Sequence, residues 1–137
     1  MSASTKLSNS VKALCFLAYS GPQPCSSTEI SKHTGVNASK LRKLFSDLAK
    51  GNIIKSIQGP CGGFMLAKDP SKIHLQDIYC ALEHQKAFHL DVSENPEHEM
   101  PEAGRVNLFF MDLFSEIQVE IEDKMKQITL SDILDQV

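Results

Sequence analysis

At residue 53 the hydrophobic period of the chain changes, and this change restricts the fold more than any other feature. Up to Lys50, apolar residues recur every three or four positions, as on a helix. Ile53-Ile54-Lys55-Ser56-Ile57 then reads as a strand and Phe64-Met65-Leu66-Ala67 as its return. Gln58-Gly59-Pro60-Cys61-Gly62-Gly63 lies between them and makes a glycine-rich hairpin tip.

Three helical segments precede the hairpin. The first covers about residues 5–20, with Leu7, Val11, Leu14, Cys15 and Ala18 as its apolar stripe. Gly21-Pro22-Gln23-Pro24 ends it, because proline cannot continue a helix. Ser26 or Ser27 can cap a short second helix, and Glu29 suits its first turn. Gly35 then breaks the chain. A third helix, Ala38 to Lys50, is capped by Asn37 and buries Leu41, Leu44, Phe45 and Leu48. Gly51 is expected to supply a left-handed residue at its end.

Behind the hairpin, a helix at about 75–83 turns Leu75, Ile78, Tyr79 and Leu82 inward. Residues 84–104 lack periodicity and read as a loop. A long helix follows at roughly 102–127, where Val106, Phe110, Leu113, Phe114, Ile117, Ile121 and Met125 keep helical spacing. Thr129 and Asp132 resemble a capping box for a last turn. The predicted fold is mainly α with a small β-hairpin: a winged helix-turn-helix plus a long C-terminal dimerisation helix. The predicted divisions are residues 1–83 for the winged domain, 84–101 for an irregular connection, and 102–137 for the dimerisation helix and its cap.

The net charge of −3 conceals a division. Residues 1–72 hold 10 Lys/Arg against 3 Asp/Glu, a balance of +7, and residues 73–137 hold 4 against 14, a balance of −10. A basic half and an acidic half imply two tasks. The basic side chains of the third helix lie off its apolar stripe, so they face outward. Lys40, Arg42 and Lys43 can donate to guanine, Asn37 can pair with adenine, and Ser39 lies among them. Lys50 and Lys55 suit phosphates. Thr28 at the start of the second helix, with Gln58 and Gly59 in the wing, completes the predicted DNA-binding set. The dimer interface is assigned to Val106, Phe110, Leu113, Phe114, Ile117 and Ile121. A twofold dimer would set two reading helices one DNA turn apart on a palindromic site.

No apolar run approaches the roughly 20 residues needed to span a bilayer, and no signal peptide is evident, so a cytoplasmic protein is expected. Cys15, Cys25, Cys61 and Cys80 form no CxxC and no zinc-finger spacing, and no cofactor or metal is predicted. Phosphate loops, GxSxG and HExxH are missing, which argues against an enzyme. A protein-interaction winged helix is the rival reading from another class.

Three stretches carry a family resemblance. Ile54–Ala67 resembles the wing of the Rrf2 family of bacterial transcription regulators, Ile73–Glu83 resembles the helix after it, and Ser39–Phe45 resembles its recognition helix. The resemblance implies a homodimer with a long crossing helix, a regulator of palindromic operators, read here as a repressor. Many members hold an iron–sulfur cluster through three cysteines between the post-wing helix and the long helix. In this chain that segment, about residues 84–105, has no cysteine but has His84, His89 and His98, so the cluster is not carried over. The family commonly has a basic residue where Gln58 stands, which implies weaker minor-groove attraction, and its cluster-bearing members often have Glu and Gln where Arg42 and Lys43 stand, which implies a different operator. Cys15 resembles in place the reactive cysteine of cluster-less, oxidant-sensing members, and Cys61 replaces a usual wing glycine. These two are the candidate redox sensors. Cys80 is expected in the core, and a metal, cluster or small ligand at the dimer interface is the alternative input.

Overall fold

The computed structural model describes residues 3–83 and 101–137. The chain begins with α1 (Ala3–Tyr19), α2 (Ser27–Thr34) and α3 (Ala38–Lys50). Ser26 Oγ accepts from the Glu29 amide at 3.1 Å and starts α2, as its sequence position suggested. Gly35 ends α2 at φ +78, a left-handed conformation that costs glycine little, and its N–H donates to Ser31 C=O at 2.9 Å. Asn37 Oδ1 then accepts from the Ser39 and Lys40 amides at 2.8 and 3.3 Å, which starts α3.

α3 buries Leu41, Leu44, Phe45 and Leu48, the predicted four. Burial of each contributes roughly 1.5–3 kcal/mol. They meet Leu14 and Leu17 of α1, Ile30 of α2 and Ile78 of a later helix in one core. On α1 the buried line is Ser10, Ala13, Leu14 and Leu17, whereas the predicted Leu7, Val11, Cys15 and Ala18 are only partly buried. The polar Ser10 at the centre of that line is what displaced the apparent stripe.

Strands β1 (Ile54–Ile57) and β2 (Gly63–Leu66) pair antiparallel, with Ile54 opposite Leu66 and Ile57 opposite Gly63. Phe64 of β2 meets Phe45 of α3 with ring centroids 4.8 Å apart, so the wing is braced on α3. Cys25, buried in the loop after α1, exchanges backbone hydrogen bonds with Phe64 and adds a third rung to the wing.

A 3-10 turn at Pro70–Lys72, which periodicity did not predict, is capped by Asp69. It leads to α4 (Leu75–Leu82), where His74 N–H donates to Asp77 Oδ2 at 3.0 Å. Gly51 does not take the expected left-handed conformation. Its φ is −82, and Asn52 carries the positive φ of 60 instead. Gly51 is needed for a different reason: a Cβ there would lie 2.9 Å from the Ala81 Cβ of α4. Cys80 is exposed rather than in the core, because Ile78, Tyr79 and Leu82 take the inward face of so short a helix.

Among the described residues two compact units result: residues 3–83 with 125–137, and residues 101–124. In the first, Leu75 N–H donates to Ile128 C=O and Leu130 N–H to Ile73 C=O, both at 2.8 Å. Leu130, fully buried, opens α6 (Leu130–Leu134), and Thr129 with Asp132 forms the expected capping box. The second unit contains most of α5 (Pro101–Lys126). α5 starts within a residue of the expected 102, and Gly104, which the loop reading of residues 84–104 also took in, lies inside the helix. Pro101 at its first position lacks only an N–H that would go unpaired there.

Candidate nucleic-acid interface

The outer face of α3 is set by the spacing of its inner face. Ser39, Lys43, Ser46 and Lys50 recur at intervals of four, three and four, opposite Leu41, Leu44 and Leu48, and all four are exposed. Lys40 and Asp47 fall on one flank of that line and Arg42 on the other. Four cations of this helix thus stand on its water-facing side with one carboxylate, and they can meet a polyanion without moving the core.

The predicted residues separate into groups. Arg42 Nη2 donates to Ser39 Oγ at 3.5 Å, one turn back, which inclines the guanidinium along the outer face. Asn37 was expected to pair with adenine, which requires both its amide atoms. Its oxygen is engaged as the α3 cap, and Nδ2 is the atom left for a base. Thr28 is exposed in the first turn of α2, and Lys55 is exposed on β1. Gln58, Gly59, Pro60 and Cys61 are exposed at the wing tip, where the Gly62 N–H donates to Gly59 C=O at 3.0 Å and closes the turn.

Lys6 of α1 was not among the predicted residues. It lines a cavity of about 500 Å³ with Ser39, Lys40, Lys43, Leu44 and Asp47. No sequence pattern links residue 6 to residue 40. Their proximity comes from the packing of α1 against α3.

The candidate redox residues differ in setting. Cys15 is partly buried, and burial pushes its thiol up from the ordinary value. It borders an apolar groove with Phe16, Tyr19 and Ile133, in which the Phe16 and His33 rings stack with centroids 4.9 Å apart. Cys61 is exposed at the wing tip.

An iron–sulfur cluster needs a set of thiolates. Cys15, Cys25, Cys61 and Cys80 sit on α1, the following loop, the wing tip and α4, and the described residues bring no three metal-capable side chains together. These residues do not fit such a cluster. His84, His89 and His98 lie outside the described residues.

α5 carries apolar side chains around most of its circumference. Of the predicted interface residues, Val106 and Phe110 are exposed, and Leu113, Phe114, Ile117 and Ile121 are partly buried. Leu108 and Phe109, each 63% exposed, with Met111 and Val119, extend the apolar surface beyond the predicted stripe. Among the described residues no helix is long and apolar enough to cross a membrane.

A family model described as Rrf2, iron-dependent transcriptional regulator, matches residues 3–136. Among curated proteins, the chain is similar to the HTH-type transcriptional regulator IscR of Sodalis glossinidius, with 28% identity over 116 residues, 85% of this chain and 67% of that protein. It is 38% identical over 63 residues to IscR of Escherichia coli K12, a match that covers 46% of this chain and 38% of that protein. Among solved structures, T. potens IscR matches with a TM-score of 0.72 at 28% identity, covering 96% of this chain and 85% of the other. CymR, the global cysteine regulator of B. subtilis, matches with a TM-score of 0.71 at 25% identity, covering 97% and 95%.

Proposed function

Because the chain belongs to the Rrf2 family of transcriptional regulators, we propose that it acts as a cytoplasmic homodimer that reads palindromic operators with α3 and represses transcription. Its membership makes it a DNA-binding regulator and not an enzyme. The observation that carries the detailed reading is the two-sidedness of α3. Four buried apolar side chains lock one face, and Ser39, Lys43, Ser46 and Lys50 line the other. In this reading Lys43 and Arg42 contact base edges, Lys50, Lys55 and Thr28 contact phosphates, and Gln58 with Gly59 brings the wing against the sugar-phosphate backbone.

The apolar surface of α5 supports the dimer. A helix that is apolar on most sides has to be covered, and Val106, Phe110, Leu113, Phe114, Ile117 and Ile121 are the proposed contact line. If each half-site neutralises four phosphates, affinity falls with salt at a log–log slope of about −7. Selection of operators from random DNA, with light scattering on the free protein, tests this reading. A monomer, or a protein indifferent to every duplex at low salt, overturns it.

Redox control is proposed at Cys61. Its exposure at the wing tip means that an oxidised sulfur there would add bulk and polarity where DNA approaches. Cys15 is the second candidate, and its raised pKa disfavours the reactive thiolate. Operator binding is to be measured before and after diamide or hypochlorite. Equal responses from the wild type and from a variant with every cysteine changed to serine refute thiol sensing.

A further inference from the structure

The cavity beside α3 contains a lysine that belongs to neither the helix-turn-helix nor the wing. Lys6, in the first turns of α1, lines it together with Lys40 and Lys43, against the single carboxylate of Asp47. Three ammonium groups against Asp47 and the Glu83 that pairs with Lys6 leave a net charge of +1. Lys6 also has an ion-pair partner outside the cavity lining. Its Nζ lies 3.3 Å from Glu83 Oε1, and the two side chains are only 29% and 14% exposed. A surface lysine is ordinarily a mobile charge on a flexible stem. Here a mostly buried carboxylate oxygen that makes no hydrogen bond stands at ion-pair distance from it before any ligand arrives. An ammonium has three donors, so pairing with Glu83 leaves donors for a second anion.

We propose that this cleft seats a DNA backbone phosphate, with Lys6 as a contact outside the reading helix and Glu83 as the residue that positions it. The inference rests on the reading of α3 as the DNA-facing element, since the cleft shares Ser39, Lys40 and Lys43 with that face. An anion lodged there lies alongside whatever duplex α3 reads. A phosphodiester, with one negative charge, suits a site that also contains the Asp47 carboxylate better than a free dianion does.

The test uses the full chain and its selected operator, with affinity measured across a range of salt. Lys6→Gln keeps an amide N–H that can still donate to Glu83, and a melting curve checks that it folds. The expected result is weaker binding to all duplexes alike and a salt slope smaller by about 0.9 per protomer. Lys6→Arg restores the slope, and Lys12→Gln, on a different face of α1, leaves it unchanged. If Lys50→Gln, which removes an α3 phosphate contact, lowers the slope and Lys6→Gln does not, the Lys6 contact is wrong while the α3 reading stands. If neither does, the α3 reading fails as well. A Lys6→Gln variant that loses melting temperature at an unchanged slope shows a structural role only and overturns the proposal. Titration with inorganic phosphate supplies the remaining arm: tight binding without DNA that Lys6→Gln abolishes would make the cleft a small-anion site and refute a DNA contact.

Discussion

Replacing Gly63 with alanine asks whether the wing is held in place by backbone approach to the loop after α1. A Cβ at residue 63 would lie 2.5 Å from the Cys25 carbonyl oxygen, 2.6 Å from its carbon and 3.0 Å from its nitrogen. All three are backbone atoms, so no rotamer change relieves the clash. Gly63 also has φ +153, a value that L side chains rarely adopt. Two hydrogen bonds cross this seam: Cys25 N–H to Phe64 C=O at 2.9 Å, and Phe64 N–H to Cys25 C=O at 2.8 Å. Separating the segments loses both, at about 1 kcal/mol net each. Backbone strain adds roughly 1–3 kcal/mol, so the expected destabilisation is about 3–5 kcal/mol. That is a large share of the 5–15 kcal/mol typical of a whole domain. Urea denaturation reads it as a lower midpoint at an unchanged m-value. Gly59→Ala is the control: its φ is +108 but nothing lies within 4 Å of the new Cβ, so it carries conformational strain alone, about 1–2 kcal/mol. If Gly63→Ala proves as stable as Gly59→Ala, the close approach is not what holds the wing.

Asn37→Ala removes the α3 cap and lowers stability by about 1 kcal/mol, whereas Asn37→Asp keeps a capping oxygen and near-native stability but weakens operator binding by placing a carboxylate at the DNA face; thermal melts and binding curves separate the two. Replacing Phe109 and Phe110 together with Glu yields a monomer by light scattering, with helix content retained by circular dichroism. Asp132 has its carboxyl held below the usual range by the Thr129 backbone N–H first and by the Thr129 hydroxyl second. Its contribution is therefore complete above the ordinary carboxylate range and is lost as pH falls through the lowered folded value, so the stability of Asp132→Asn converges with that of the wild type in acid and lies below it at neutral pH. Iodoacetamide at pH 8 labels Cys61 well before Cys15, whose burial disfavours the thiolate; mass spectrometry of timed samples reads the order, and faster labelling of Cys15 would contradict it.

The parts that were legible in the sequence are those decided within a few residues. Ser26, Gly35 and Asn37 mark helix ends through hydrogen bonds that span two to four positions. The α3 stripe and the change of period at the wing are projections of one element onto its own axis, and both appear as read. Cys80 was misplaced because a helix as short as α4 leaves its spacing compatible with more than one inward face. The α1 line was misread because Ser10, a polar residue, occupies a fully buried position.

Sequence alone therefore established the order of the described α-helices and strands, the caps at Ser26, Gly35, Asn37 and Thr129, the basic face of α3 and the family that the wing resembles. Only the tertiary structure decided which distant elements share a surface: residues 128–130 beside 73–75, Ala81 against Gly51, and Lys6 beside Lys40 and Lys43. Period and capping report the geometry of one segment. Proximity across tens of residues depends on how closed surfaces pack together, and no local pattern encodes that.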